Sequence, residues 1–440
     1  MKLIYKFLPV FFQNIIVSLY DFKIKQRRFG KRFDFWFDFY KNLRSLSDAE
    51  KQELEIKRLK IFVNKIKKEG GFKELYDLDN INPESLDFLS QFKTLPVINK
   101  DFVKQNIKKF EFNKLKHKVI QTSGTTGGGL RLWETKESFR EQWGLWWSYW
   151  DFHGIKRNEW HGAFGGKIIV PTEKVNPPYW RISKIGKRIL FSSFHCKEST
   201  VYDYYKKVQD SELRWLHGYP SIIFNFAKLL VKEGLSLDKV LWVSFGAESL
   251  LEHYKESIKK AFPKAKLIQH YGLAEGVANI SEYSNERFTL DRYFSYVEFV
   301  PFGLKNKYKI IGTNLSNPSF PLLRYDTGDI ATIIDGEILD IDGRKEDFIS
   351  LKSGAKVGRF DYILKGLENV MEAQVIQESI FLLKMRLVVN KEYFENKNES
   401  ELLKNIKEFT NDEIEVEFEY VNEIPRTKTG KIRFVISKLK

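Results

Sequence analysis

Gln121-Thr-Ser-Gly-Thr-Thr-Gly-Gly-Gly-Leu130 is the stretch on which the reading of this chain depends. His117-Lys-Val-Ile120 before it reads as the end of a strand, and Arg131-Leu-Trp-Glu134 after it as a strand resuming. Between them stand four hydroxyls, Thr122, Ser123, Thr125 and Thr126, and four glycines, Gly124, Gly127, Gly128 and Gly129. Such a loop offers many backbone N–H groups and little side-chain bulk, so it can wrap a polyphosphate with the hydroxyls as further donors. It is not a Walker loop, because the Gly-Lys-Ser/Thr ending is missing. A flexible hairpin tip is the other reading of the same residues, and the rest of the chain has to decide between them.

The chain has 440 residues, enough for two or three domains and a large core. Hydrophobic residues at 42% and charged residues at 30% are a globular composition, not a disordered one. One cysteine, Cys196, excludes a disulfide framework and a multi-cysteine zinc site, and fits a cytoplasmic protein. The formal charge of +15 suits nucleic acid, an anionic membrane or phosphate-bearing substrates. The basic residues are spread along the chain, with a denser patch from Lys23 to Arg32, and no nucleic-acid module is present, so no specific nucleic acid is expected.

Met1 to Tyr20 is apolar but interrupted by Lys6, Pro9 and Gln13-Asn14, too broken for the ~18-residue apolar run of a spanning helix. No small-residue cleavage site follows it. It reads as a helix packed on the protein's own body. The alternative is a peripheral membrane contact through residues 1–32, backed by Lys23, Lys25, Arg27, Arg28, Lys31 and Arg32, at the inner face of the membrane. Ser47 to Lys68 is expected to be helical, with Ser47 and Glu50 as a capping box. Trp143, Trp146, Trp147 and Trp150 recur at i, i+3, i+4 and i+7, one helix face, read as core that walls a pocket at one end.

From Phe164 onward short apolar strands alternate with helices. Pro220 suits the first turn of a helix, Val240 to Ser244 reads as a buried strand, and Ala265 to Ile268 as another. That pattern predicts a parallel sheet, in which ligands gather at the carboxyl ends of strands; the turns at Gly246 and Gly272 stand at such ends. Tyr283 to Asp342 turns β-rich and antiparallel. Beyond Glu346 a small α+β region follows, with strands near Phe381–Val389 and Ile414–Tyr420 around a helix near Glu399–Phe409.

Four further motifs accompany the Gly-rich loop. Gln269-His-Tyr-Gly-Leu-Ala-Glu275 carries an aromatic, a glycine and a carboxylate suited to a flat base and a magnesium ion. Leu323-Arg-Tyr-Asp-Thr-Gly-Asp329 places Asp329 after a turn, able to accept from a ribose diol. Asp342-Gly-Arg-Lys-Glu-Asp347 lies where the composition changes, and Ile424-Pro-Arg-Thr-Lys-Thr-Gly-Lys-Ile-Arg433 presents Lys431. Each alone is also an ordinary turn or surface bend.

In this order the five motifs resemble those of the adenylate-forming superfamily of acyl- and aryl-CoA synthetases and nonribosomal adenylation domains. Within it the chain is similar to the phenylacetate–CoA ligase branch and, through Leu8-Pro-Val-Phe-Phe-Gln13, Ser192-Ser-Phe-His195 and Gly218-Tyr-Pro-Ser221, to CapK-like proteins associated with polysaccharide biosynthesis. The resemblance implies an α/β plus α+β fold: a large N-terminal domain, residues 1–343, with parallel-sheet subdomains and a β-rich subdomain; a hinge at 344–347 centred on Glu346; and a small mobile C-terminal α+β domain, 348–440, carrying the catalytic lysine.

The resemblance also implies the chemistry. A small carboxylic acid is activated by ATP and Mg2+ as an acyl-adenylate. The acyl group then passes to an acceptor: CoA, an amine, a sugar hydroxyl or a carrier thiol. Thr122, Ser123, Gly124, Thr125, Thr126 and Gly127 would belong to the ATP site, with Ser123 to Gly129 holding the β- and γ-phosphates. Gly246, Ala247, Glu248 and Tyr271 would sandwich the adenine, with His270 and Gly272 also in the ATP site; Asp329 and Arg344 would bind the ribose, and Glu275, with Thr126 nearby, the metal. Lys431 would bridge the carboxylate and the phosphate. Phe164, Gly165, Tyr219, Phe245 and Ala274 would line the acid's pocket. The chain departs from the family pattern in two places: Glu346 stands where Asp is usual, with Asp347 beside it, and Gly128-Gly129 lengthens the flexible part of the loop. The zinc insertion of some relatives needs cysteines that this chain lacks.

Overall fold

The computed structural model describes residues 2–439 except 69–71, 73–74, 111–116, 122–129, 285–286, 345–348, 355, 358–362, 365–366, 368–369, 390–395 and 427–431. The chain forms two compact units, one of residues 1–19, 158–269 and 342–440, the other of residues 20–157 and 270–341.

The first unit contains the expected parallel sheet. Strands Arg188–Ser192, His161–Gly165, Trp215–Gly218 and Trp242–Phe245 lie side by side and parallel, followed by residues 266–269, with Trp180–Ser183 antiparallel at one edge. Helices Val201–Gln209, Pro220–Lys232 and Glu252–Ala261 follow their strands. Pro220 does start its helix, where a missing N–H costs nothing. Phe164, Leu216, Ile223, Phe226, Val243 and Phe262 belong to one buried cluster. Residues of the C-terminal segment make a separate four-stranded sheet, ordered Glu415–Tyr420, Leu382–Val389, Val370–Ser379, Val435–Ser437, with the helix Asn396–Phe409 and a core of its own around Val375, Met385 and Leu402.

The chain's first helices fall partly in this unit. Polar groups anchor helix Val10–Arg28: Gln13 Oε1 accepts from Arg181 Nε and Asn14 Oδ1 from Ile182 N at 2.9 Å, while Gln13 Nε2 donates to the Tyr5 and Leu8 carbonyls at 2.9 and 2.8 Å. The apolar start is helical, but in two pieces, Lys2–Phe7 and Val10–Arg28, and Phe11, Phe12, Ile15, Ile16 and Leu19, which were expected to pack inward, face out. Among the described residues no helix is long and apolar enough to cross a membrane.

The second unit joins helices to an antiparallel sheet. Its strands run in the order Ser295–Pro301, Lys307–Asn314, Tyr325–Ile334, Glu337–Arg344, Arg287–Leu290, Asn279–Ser284, then residues 270–272. Helix Asp48–Lys67 starts on the predicted capping box, with the Ser47 and Glu50 side chains each bonded to the other's backbone N–H. His117–Gln121 and Arg131–Thr135 pair as a hairpin, so the Gly-rich stretch joins two antiparallel strands. Thr135 caps the helix Lys136–Phe152 by accepting from Ser138 N at 3.0 Å. That helix is buried on several sides: Leu145, Trp147, Tyr149 and Trp150 are all in the interior, and Glu141 is held there by Arg58 and by the Tyr40 hydroxyl.

Candidate functional site

In the second unit, residues 270–272, the end of strand Lys266–Gly272, deliver His270, Tyr271 and Gly272 to a turn, Leu273-Ala274-Glu275-Gly276. Gly276 closes it, its N–H donating to Leu273 O at 3.0 Å with φ +66°, a left-handed conformation that favours glycine. Asn314 holds the turn from behind. Its Nδ2 donates to the Glu275 and Phe320 carbonyls at 3.1 and 3.0 Å, and its Oδ1 accepts from Leu322 N at 3.0 Å. The amide is thus saturated by backbone groups on two segments, which fixes where Glu275 begins.

Asp329 lies on strand Tyr325–Ile334, and its N–H donates to Thr327 Oγ1 at 3.1 Å. The Tyr271 hydroxyl donates to Asp329 Oδ2 at 2.6 Å. This charge-assisted bond ties the two motifs, 58 residues apart, into one constellation. Gly272 is packed as closely as its residue type allows. A Cβ there would stand 2.8 Å from Asn279 Oδ1, the atom that accepts from Trp146 Nε1 at 2.9 Å.

A small solvent-open cleft in this unit is lined by Ala274, Glu275, Gly276, Ile120, Ser138, Gln142 and Asn317 among others. Ile120 directly precedes the Gly-rich stretch, so the root of that loop and Glu275 share one cleft. Glu134 also lines it. Burial raises its carboxyl above the usual range, opposed by the Arg27 guanidinium 2.6 Å away. Asn317 braces the opposite side, donating to Trp133 O at 2.7 Å and accepting from Ser319 Oγ at 2.6 Å. The four tryptophans do not line this cleft; Ser138 and Gln142, from the same helix, do.

In the first unit, Phe164, Gly218 and Phe245 share one level at the carboxyl ends of three adjacent parallel strands, and Gly246 follows directly. Tyr219 N donates to Phe164 O at 3.1 Å, and Ser221 N to Glu248 Oε2 at 3.2 Å. Ala247 adopts φ +71°, a strained conformation for a residue with a Cβ. Burial, then the nearby Glu248, raises the Tyr219 hydroxyl above its ordinary value. Phe164 stacks on Phe191 and Phe226 at 4.7 and 5.2 Å, and both Phe164 and Phe245 are core residues, whereas Gly165 and Tyr219 are part-exposed.

Thr122, Ser123, Gly124, Thr125, Thr126, Gly127, Glu346 and Lys431 lie outside the described residues, as does the Arg344 side chain. Among the described residues no three His, Cys, Asp or Glu side chains are arranged to hold a metal. Asn314, Asn317, Ser138 and Gln142 were not picked out from sequence. Only Ser138 had a local signal, the Thr-x-x-Ser spacing of a helix cap.

Parallel sheet, antiparallel sheet and C-terminal α+β segment together make the fold of the adenylate-forming enzymes. A 2-hydroxyisobutyryl-CoA ligase in complex with 2-HIB-AMP aligns over 89% of this chain and 90% of its own, with a TM-score of 0.69 at 16% identity. An anthranilate–CoA ligase in complex with anthranoyl-AMP aligns over 71% and 65%, with a TM-score of 0.52 at 14% identity. In sequence, residues 349–438 match the CapK C-terminal domain. The chain is 27% identical to Protein CapK of Staphylococcus aureus over 99% of both. The likeness read from the motifs, to adenylate-forming enzymes and to CapK-like proteins, is borne out.

Proposed function

We propose that the protein activates a carboxylic acid with ATP as an acyl-adenylate and hands the acyl group to an acceptor in capsule or O-antigen polysaccharide assembly. The observation that carries this reading is the joining of Tyr271 to Asp329 beside a turn whose Glu275 shares a cleft with the root of the Gly-rich loop. In the reaction a carboxylate oxygen bonds to the α-phosphorus, the bond from that phosphorus to the bridging oxygen breaks, and pyrophosphate leaves. Asp329 would accept from the ribose hydroxyls, oriented by Tyr271. Lys431 would place its ammonium between the incoming carboxylate and the phosphate, where charge develops. Glu275 suits one protein carboxylate for a magnesium ion whose other positions are filled by phosphates and water. When bound, that ion neutralises charge on the polyphosphate. Residues 344–347 would serve as the hinge for 348–440.

The test is ATP–pyrophosphate exchange against aryl, fatty, hydroxy and amino acids. Exchange should appear with one acid and fall on the order of a hundred- to a thousandfold in Lys431→Ala. ATP binding without exchange for any acid would argue for a binding protein instead.

CoA is the acceptor favoured by the solved structures of this fold, whose names are CoA ligases. If adenylate accumulates and CoA never speeds its consumption, the acceptor is an amine, a hydroxyl or a carrier thiol.

A further inference from the structure

Helix Val10–Arg28 is amphipathic with the usual arrangement inverted. Its buried positions are polar, Gln13 at 2% and Asp21 at 4% exposure. Up to Tyr20 its exposed positions are apolar or aromatic: Phe11 (68%), Phe12, Ile15, Ile16, Leu19 (55%) and Tyr20, preceded by Phe7 (85%). Phe11, Ile15 and Leu19 follow at i, i+4 and i+8, with Phe12 and Ile16 as a second row, so these side chains form one stripe about 12 Å long. A surface helix ordinarily turns such a stripe to its own core. Here the bonds from Arg181 Nε to Gln13 Oε1 and from Ile182 N to Asn14 Oδ1 hold it outward. The Tyr5 hydroxyl donates to Ile169 O at 3.1 Å, and the adjoining loop adds exposed Ile168 and Val175.

Charge frames the apolar surface. Residues 1–32 hold eight Lys and Arg against a single acid, Asp21, which is buried; Arg27 and Arg32 pair with Glu134 and Glu137, while Lys6, Lys23 and Lys31 are exposed. The loop around Ile168 has Lys167 and Lys174, and its one acid, Glu173, lies in the field of Lys6.

We propose that this face docks on an anionic phospholipid bilayer, with the helix lying in the interface plane. Aromatic and aliphatic side chains projecting from a cationic surrounding are what such a surface takes up. A second copy of the chain fits less well, because a two-fold contact through this stripe would bring two cationic segments together. The inference stands apart from the proposed catalysis.

The experiment is vesicle flotation of the full chain, with vesicles of phosphatidylcholine alone or mixed with phosphatidylglycerol, at two salt concentrations. The protein should float with the anionic vesicles, more at low salt. The triple variant Phe11→Ser/Ile15→Ser/Leu19→Ser should bind roughly tenfold or more weakly, with unchanged circular dichroism and Tm. Lys23→Glu should weaken binding to the anionic vesicles alone. No flotation of the wild-type chain, or equal flotation of the triple variant, overturns the proposal. A wild-type dimer in sedimentation velocity that the triple variant abolishes overturns it as well, in favour of a second copy.

Discussion

The hydroxyl of Tyr271 sits 2.6 Å from Asp329 Oδ2, and the two residues belong to separate strands of one sheet. An aromatic ring in one motif thereby sets the orientation of a carboxylate in another. Tyr271→Phe keeps the ring and removes the donor. A hydrogen bond to a charged group is worth about 1.5–3 kcal/mol, so KM for ATP should rise about tenfold or more with a smaller change in kcat. Saturation curves in ATP–pyrophosphate exchange check this, and an unchanged KM would remove the orienting role.

Gly272 has no room for a methyl group, since its Cβ would press on Asn279 Oδ1 at 2.8 Å. Gly272→Ala should break the Trp146–Asn279 bond and lower stability by about 1–3 kcal/mol, read from urea unfolding. Gly218→Ala should be worse. Its Cβ would collide with the Phe164 backbone carbonyl, which cannot swing aside as a side chain can. Equal stability losses in the two variants would contradict this ordering.

Arg58 and Glu141 are a buried ion pair in the second unit, with a second contact at 2.9 Å between Nη2 and Oε2. Arg58→Met leaves the Glu141 charge enclosed without its partner, and about 3–5 kcal/mol of stability should be lost. The double variant Arg58→Met/Glu141→Leu should recover part of that. Chemical denaturation of both variants separates the two cases.

His217 bonds Ser244 Oγ through Nδ1 at 2.8 Å, and Ser244 also accepts from Trp215 Nε1 at 2.7 Å. Burial, then the charge of Arg188, pushes the ring down to about 4 from an ordinary 6.5. The folded ring is therefore neutral where the unfolded ring takes a proton. Its contribution is fully present above about pH 6.5 and is lost as pH falls toward 4, on the order of 2–3 kcal/mol. His217→Gln should flatten the stability profile across that window, and a slope equal to wild type would assign the pH dependence to other groups.

Local chemistry was legible in the sequence. The Ser47 capping box, Pro220 at a helix start and the strand–helix alternation from Phe164 to Ile268 each depend on neighbours in the chain, and each appears where expected. The joint order of five motifs carried the fold class. The pairing of Tyr271 with Asp329 could not be read, because it follows from strand register across a sheet. The roles of Asn314 and Asn317 were equally silent, since an amide that binds distant carbonyls leaves no periodic trace. The N-terminal helix misled for a physical reason. Apolar content announces burial, but Gln13 and Asn14 found partners in Arg181 and Ile182 and won the inward face.

That inward face has a consequence for any shortened version of the chain. The Arg181 side chain is 1% exposed, and its Nε donates to Gln13 Oε1. Cutting away the first fourteen residues would leave a guanidinium enclosed with one of its acceptors gone. The segment looks like a detachable tail, yet the parallel-sheet unit uses it as an internal ligand. Its greasy side can be rewritten at little cost to folding, whereas its amide side cannot be dispensed with.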